Sequence, residues 1–406
     1  MEVDTLVNPD FLLSDVVKKL SKSATLALNQ KVAELKRKNI EIINLGIGEP
    51  NFYVKDHIKN AAKKAVEDNY SFYSPVAGFD ELREAIVEKM KRDYNLDYKK
   101  EQIVVSNGAK HSIMNVILAT VNPGDEVIIP VPYWVSYPEM IKIANGKPVF
   151  IKTSFENKFK FTAEQLLNAI TPKTKLLIYS SPSNPTGSVF TKKELSEFVN
   201  VLKDFKNILI VSDEIYELLN FTDEHISIAN FEEVFDQVVI INGISKTYSM
   251  PGYRIGFMAG PEWLANAVIK LQSHMTSGPS SISQMAAIEA FKSSRAEVTE
   301  YRNTIMRLRD IAYELLLKIP YIKTNLPMGA FYFFVDISNY IGTSYLNYKI
   351  NSDSDLCLYL LETAKVATVP GIEFGMPNYI RISFATNENI LIEGINRIKE
   401  QLTKLS

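Results

Sequence analysis

Seven short apolar runs punctuate the middle of the chain: QIVVS (102–106), EVIIPVP (126–132), PVFIKT (148–153), KLLIYSS (175–181), ILIVSDE (208–214), VVIING (238–243) and RIGFMAG (254–260). They are nearly continuous in Val and Ile, the pattern of strands buried on both faces. Stretches with a helical period, such as AKHSIMNVILATV and TKKELSEFVNVLKDF, separate most of them. This alternation predicts an α/β fold, a mostly parallel seven-stranded sheet sandwiched by helices. After about residue 290 the pattern changes. A long helical stretch (about 293–318) leads into a strand (AFYFFVD), a helix (SDLCLYLLETAK), two strands (VATVPG and YIRISFAT) and a final helix (NENILIEGINRIKEQLTKL), a small α+β unit. The N-terminal segment shows no sheet of its own and is expected to pack against that unit. The chain thus divides into an arm with part of the small domain (1–45), a large domain (46–292) and a C-terminal small domain (293–406).

Composition narrows the function classes. A formal net charge of −2 over 406 residues favours neither nucleic acid nor an anionic membrane as partner. The single cysteine, Cys357, rules out an intrachain disulfide and a thiolate metal cluster, so no metal is expected. There is no run of 18 apolar residues, and the first thirty residues do not read as a leader. The cytoplasm is the expected compartment.

Sites in open α/β sheets gather beyond the carboxyl ends of the strands. After IVVS, Gly108 and Ala109 open a helix whose free amides and dipole suit a phosphate, or simply make a tight turn. After VIIPVP, Trp134 can stack on a planar ligand or belong to the core. After LLIYSSPS, Asn184 stands in a turn sequence and offers both a donor and an acceptor. After ILIVS come Asp213 and Tyr216, three apart; the acid can pair with a cationic ring nitrogen or cap a helix. After VVIING comes Lys246, which is a carbonyl nucleophile if desolvated and a plain loop lysine if not. Each signal alone is weak. Together they describe one ligand with a phosphate, a flat ring, a ring nitrogen, a ring oxygen and an aldehyde: pyridoxal 5′-phosphate.

The ordered motifs INLGIGEPNF, YSPVAGFDELREAI, PYWVSYPEM, SPSNPTG, VSDEIYE, SKTYSMPGYRIG and YIRISFAT are specific. With them the chain resembles, from residue 22 to its last helix, the fold-type I pyridoxal-phosphate-dependent aminotransferases of class I. It is most similar to the bacterial aspartate (aspartate/prephenate) subgroup. The resemblance implies that Lys246 carries the cofactor and moves the reacting proton. Asp213 would pair with the pyridine nitrogen, Tyr216 and Asn184 would bond the ring oxygen, and Trp134 would stack on the ring. Gly108, Ala109 and Arg254 would hold the phosphate, with Tyr73 reaching it from the other subunit of a homodimer. Arg381 would grip the substrate α-carboxylate, with Asn184 and Gly46 beside it. The implied reaction is ping-pong transfer between L-aspartate and 2-oxoglutarate, giving oxaloacetate and L-glutamate. Aromatic, prephenate or alanine transamination, or a lyase reaction, are alternatives on the same scaffold.

Two positions depart from related patterns. Gly243 stands where many class members have a phosphate-bound serine. Ser273 and His274 stand where animal-type enzymes bring an arginine to the distal carboxylate, so that task falls by resemblance to Lys110. Lys22 in KSAT is a further candidate for dicarboxylate binding.

Overall fold

The seven apolar runs form the seven strands of one sheet: β1 Ile103–Ser106, β2 Glu126–Val131, β3 Lys147–Lys152, β4 Thr174–Ser180, β5 Leu209–Asp213, β6 Val238–Gly243 and β7 Gly256–Ala259. Their order across the sheet is β1-β7-β6-β5-β4-β2-β3. Only β7 runs antiparallel, against both β1 and β6. The computed structural model describes residues 12–21, 32, 34, 35, 37–222 and 224–406. Lys22 and the first eleven residues of the arm lie outside the described residues.

Successive strand residues point to opposite faces. In β6, Val238 and Ile240 enter one core, with Phe198 and Phe291 from the covering helices. Val239 and Ile241 enter the other, with Ile113, Ile117 and Val268. Both faces are therefore dry, which is why the runs read as continuous rather than alternating. The covering helices begin where their sequences supply caps. Thr191 and Glu194 form a reciprocal box at the start of Lys192–Leu202, and Ser294 and Glu297 form another at Arg295–Leu316.

The C-terminal part builds a second core around a four-stranded antiparallel sheet. Its strands are β8 Lys323–Thr324, β9 Tyr332–Asp336, β10 Val369–Pro370 and β11 Tyr379–Ser383, in the order β10-β11-β9-β8. VATVPG does not make one strand. Its first half, Val366–Ala367, pairs in parallel with Ile43–Asn44, and its second half is β10. The N-terminal segment thus adds a short strand to this part, and Ile42 packs against Leu361 and Ala367. The helix read in SDLCLYLLETAK is Asp353–Tyr359, continued by one wide turn over Leu360–Ala364. Among the described residues no helix is long and apolar enough to cross a membrane.

Candidate active site

The carboxyl ends of β1, β2, β4, β5 and β6 point to one edge of the sheet. Antiparallel β7 starts at that edge, so the residues just before it arrive there too. A cavity of about 600 Å³ lies at this edge, lined by Ala109, Lys110, Trp134, Asn184, Asp213, Tyr216, Lys246, Arg254 and Arg381. With Gly48 also in the wall, residues up to 333 apart in sequence (48 to 381) thus meet in one place.

At one end, Gly108 caps the helix Ala109–Thr120 with φ +88, a conformation glycine adopts without strain. A Cβ there would come within 2.4 Å of Arg254 Nη2. The guanidinium therefore lies directly against the helix start, donating to the carbonyls of Asn107 (3.0 Å) and Pro251 (2.9 Å). First-turn amides and an arginine make an anion cradle. The glycine at 243 has a steric cause: it faces Gly256 across the β6–β7 pair, and a Cβ would lie 2.7 Å from the Ile255 carbonyl. No serine fits there. Ser245, which lines the cavity, is the hydroxyl nearest in sequence.

At the centre, Asp213 ends β5, buried in the cavity wall. Its Oδ2 accepts from the Tyr137 hydroxyl at 2.6 Å and its Oδ1 from the Ile215 amide at 3.3 Å. Burial raises its carboxyl to about 6, against the pull of these donors and of Lys246. Lys246 donates to the Gly48 carbonyl at 2.5 Å. Desolvation, then the nearby Arg381 charge, push its ammonium down to about 8. The downward shift raises its neutral fraction near neutral pH far above that of an ordinary lysine, which suits a nucleophile and base.

At the far end, Arg381 on β11 is 3% exposed. It donates to Asn184 Oδ1 (2.9 Å) and the Gly46 carbonyl (2.7 Å), and its guanidinium carbon lies over the Tyr332 and Phe374 rings, 4.4 and 5.1 Å from their centroids. Among the described residues no carboxylate pairs with it. A buried cation without an anion is costly, and this one borders a cavity, which marks a place for a ligand carboxylate. Lys110 Nζ sits 4.9 Å from the Trp134 ring.

Most sequence-predicted residues thus converge. Gly108 and Gly46 act from just behind the wall, through the helix start and the Arg381 bond. Tyr73 does not reach the cavity of its own chain and is 96% exposed. Ser273 and His274 are exposed, with Ser273 bonded to the Lys270 carbonyl. Three contributors carried no sequence assignment: Tyr137, Gly48 and Tyr332. Tyr137 stands inside PYWVSYPEM and Gly48 inside INLGIGEPNF, so motif context alone drew attention to them.

Known proteins agree with this geometry. Residues 40–398 match the family "Aminotransferase class I and II". The aspartate aminotransferase of Bacillus sp. (strain YM-2) is 46% identical over 389 residues, 95% of this chain and 98% of that protein. The probable aspartate/prephenate aminotransferase of Rickettsia typhi is 43% identical, covering 97% of this chain and 100% of its own length. The solved aspartate aminotransferase of Thermus thermophilus with maleate superposes with a TM-score of 0.90 at 37% identity, over 96% of this chain and 99% of that one. With a match across nearly its whole length and its pocket built from the expected strand ends, this chain belongs to the class I and II aminotransferases.

Proposed function

We propose that the protein is an aspartate aminotransferase that passes the amino group of L-aspartate to 2-oxoglutarate, yielding oxaloacetate and L-glutamate. The observation that carries this is the single cavity with an anion cradle at one end, an enclosed carboxylate and lysine at the centre, and an unpaired buried arginine at the other. These features fit pyridoxal phosphate. The helix start and Arg254 suit its phosphate, Asp213 its ring nitrogen, Tyr216 and Asn184 its ring oxygen, Trp134 its face and Lys246 its aldehyde. Bound there, the cofactor supplies an aldehyde that bonds the substrate amine and a protonated ring that takes up the electron pair left at Cα.

The chain's own residues do the rest. Arg381 clamps the α-carboxylate bidentately, which a lysine cannot do. The clamp would fix the substrate's orientation through its carboxylate, so that the Cα–H bond rather than the bond to the carboxylate is the one presented for cleavage. The Lys246 amine takes the Cα proton and returns it on the other side of the transfer. Asp213, held ionised by Tyr137, keeps the ring nitrogen protonated. Lys110, beside Trp134, receives the distal carboxylate. The exposed Tyr73 completes the phosphate site of a second copy in a homodimer. A single cysteine suits a reducing compartment, and the cytoplasm is the compartment this reading favours. The name of the Rickettsia relative adds prephenate as a second acceptor to assay.

Two predictions test parts of this site. Lys110→Ala is expected to raise KM for aspartate about tenfold while leaving alanine unaffected, the loss of one charge-assisted contact. Equal effects on both donors would remove Lys110 from dicarboxylate recognition. Tyr137→Phe removes a donor that favours the ionised Asp213. The Asp213 pKa then rises from about 6, and the acid limb of the kcat profile moves to higher pH, with a fall of about tenfold near neutrality. An unmoved acid limb would dissociate Tyr137 from Asp213. The function as a whole is tested by steady-state kcat/KM for a panel of donors and acceptors on the pyridoxal-phosphate-loaded enzyme. Aspartate with 2-oxoglutarate should lead, and an aromatic or prephenate-led ranking would overturn the assignment.

A further inference from the structure

Tyr332 lies on β9 in the aromatic run Phe331–Phe334 and is fully buried. It does not line the cavity, yet it touches two residues that do. Its hydroxyl lies 2.9 Å from the Tyr216 hydroxyl. Its ring centroid lies 4.4 Å from the Arg381 guanidinium carbon. The register explains the second contact. Phe334 is the partner of Arg381 across the β9–β11 pair, and Tyr332 is two residues away on the same face as Phe334. The first contact ties two parts of the chain together: Tyr216 follows β5 of the large sheet, yet it packs in the second core beside Tyr332.

We propose that Tyr332 is a positioning residue with two separable actions: its hydroxyl sets the donor strength of Tyr216, and its ring fixes the plane of Arg381. The proposal rests on the aminotransferase reading above. A phenol has one hydrogen to give and two lone pairs to offer. If Tyr216 gave its hydrogen to Tyr332, it would have none for the cavity. Turning that hydrogen toward the cavity makes Tyr332 the donor. Accepting that bond polarises the Tyr216 O–H group and strengthens it as a donor. A stronger donor at the cofactor's ring oxygen favours the deprotonated form of the absorbing group.

The ring acts differently. Nη1 and Nη2 of Arg381 are held by Asn184 and Gly46, while Nε has no partner. Those two bonds hold the outer nitrogens but not the rotation of the plane about the line through them, where Tyr332 at 4.4 Å is the nearer of two rings and Phe374 at 5.1 Å the farther. A flat aromatic face beneath the guanidinium opposes that rotation and keeps the fork aligned for a bidentate carboxylate. One side chain thereby links the carboxylate clamp to the ring-oxygen contact.

Two variants of the cofactor-loaded enzyme separate these actions. Tyr332→Phe keeps the ring and removes the hydroxyl. The pH midpoint of the cofactor absorbance change should rise by about half a unit and kcat should fall about fivefold, with KM for aspartate within about twofold of wild type. Tyr332→Leu removes both and should in addition raise KM for aspartate about tenfold. A Phe variant with an unmoved midpoint and wild-type kcat would overturn the hydroxyl's role. A raised KM in the Phe variant would overturn the division between hydroxyl and ring. A folded Leu variant, judged by circular dichroism, with wild-type KM would overturn the ring's role. If the Leu variant does not fold, the Phe variant still decides the hydroxyl's role through its midpoint and the division through its KM. Failure of the aminotransferase reading looks different: the wild-type protein itself would then show no absorbing complex with pyridoxal phosphate and no transamination.

Discussion

Replacing Lys246 by alanine is expected to lower aspartate turnover by at least about 10⁴-fold, because it deletes two functions at once. The amine is the cavity's nucleophile, pushed down to about 8 by desolvation and by the Arg381 charge. It is also the only amine besides Lys110 among the residues lining the cavity, and Lys110 stands over Trp134 rather than by Gly48. Loss of a positioned acid–base group alone costs about 10²- to 10⁴-fold. Cofactor affinity should fall much less, since the helix start, Arg254 and Asp213 remain to hold it. Single-turnover rates with aspartate and equilibrium titration with pyridoxal phosphate separate the two effects. A variant retaining a tenth of wild-type turnover would show that another group moves the proton.

The second large effect is expected at Asp213. Alanine there removes the one enclosed carboxylate aimed into the cavity and leaves the Tyr137 hydroxyl without its 2.6 Å acceptor. The cofactor ring would then lose the charge that keeps its nitrogen protonated, and with it the capacity to take up electrons from Cα. We expect kcat to fall about 10³-fold, the scale of removing one preorganised electrostatic group, with a much smaller loss of cofactor affinity. Asp213→Glu should recover part of the rate, because the charge returns in a displaced position. Near-normal kcat in the alanine variant would remove Asp213 from the chemistry.

The large sheet was legible because burial on both faces leaves long unbroken runs of Val and Ile. The site residues were legible because seven of them (Gly108, Ala109, Trp134, Asn184, Asp213, Tyr216 and Lys246) stand at or just beyond the ends of five of those runs. Arg381, by contrast, sits inside a strand of the second core and was reached only through the YIRISFAT motif. Roles that depend on distant contacts left no such mark. Tyr332 is one aromatic among four consecutive ones, all buried, and nothing local separates a core tyrosine from one bonded to Tyr216. Tyr137 faces Asp213 across 76 positions of chain. Gly48 acts through its carbonyl, which sequence does not distinguish from any other. The two-residue strands were also hidden, since Ile43–Asn44 and Val366–Ala367 acquire their pairing from the second core's closure rather than from their own pattern. Gly243 shows the reverse case. As a sequence departure it suggested a phosphate contact either absent or supplied by another hydroxyl, and the structure supplies the reason for the glycine, a β6–β7 pairing too close there for any side chain.

One cavity takes the amino group from aspartate and later gives it to a second acid. The most direct measurement is the half-reaction: pyridoxal-phosphate-loaded enzyme mixed with L-aspartate and no acceptor, with oxaloacetate quantified over time. A burst of one oxaloacetate per subunit that then stops is expected, with turnover resuming and L-glutamate forming when 2-oxoglutarate is added. Formation of alanine, ammonia or carbon dioxide in place of oxaloacetate, or no product until both substrates are present, would contradict it.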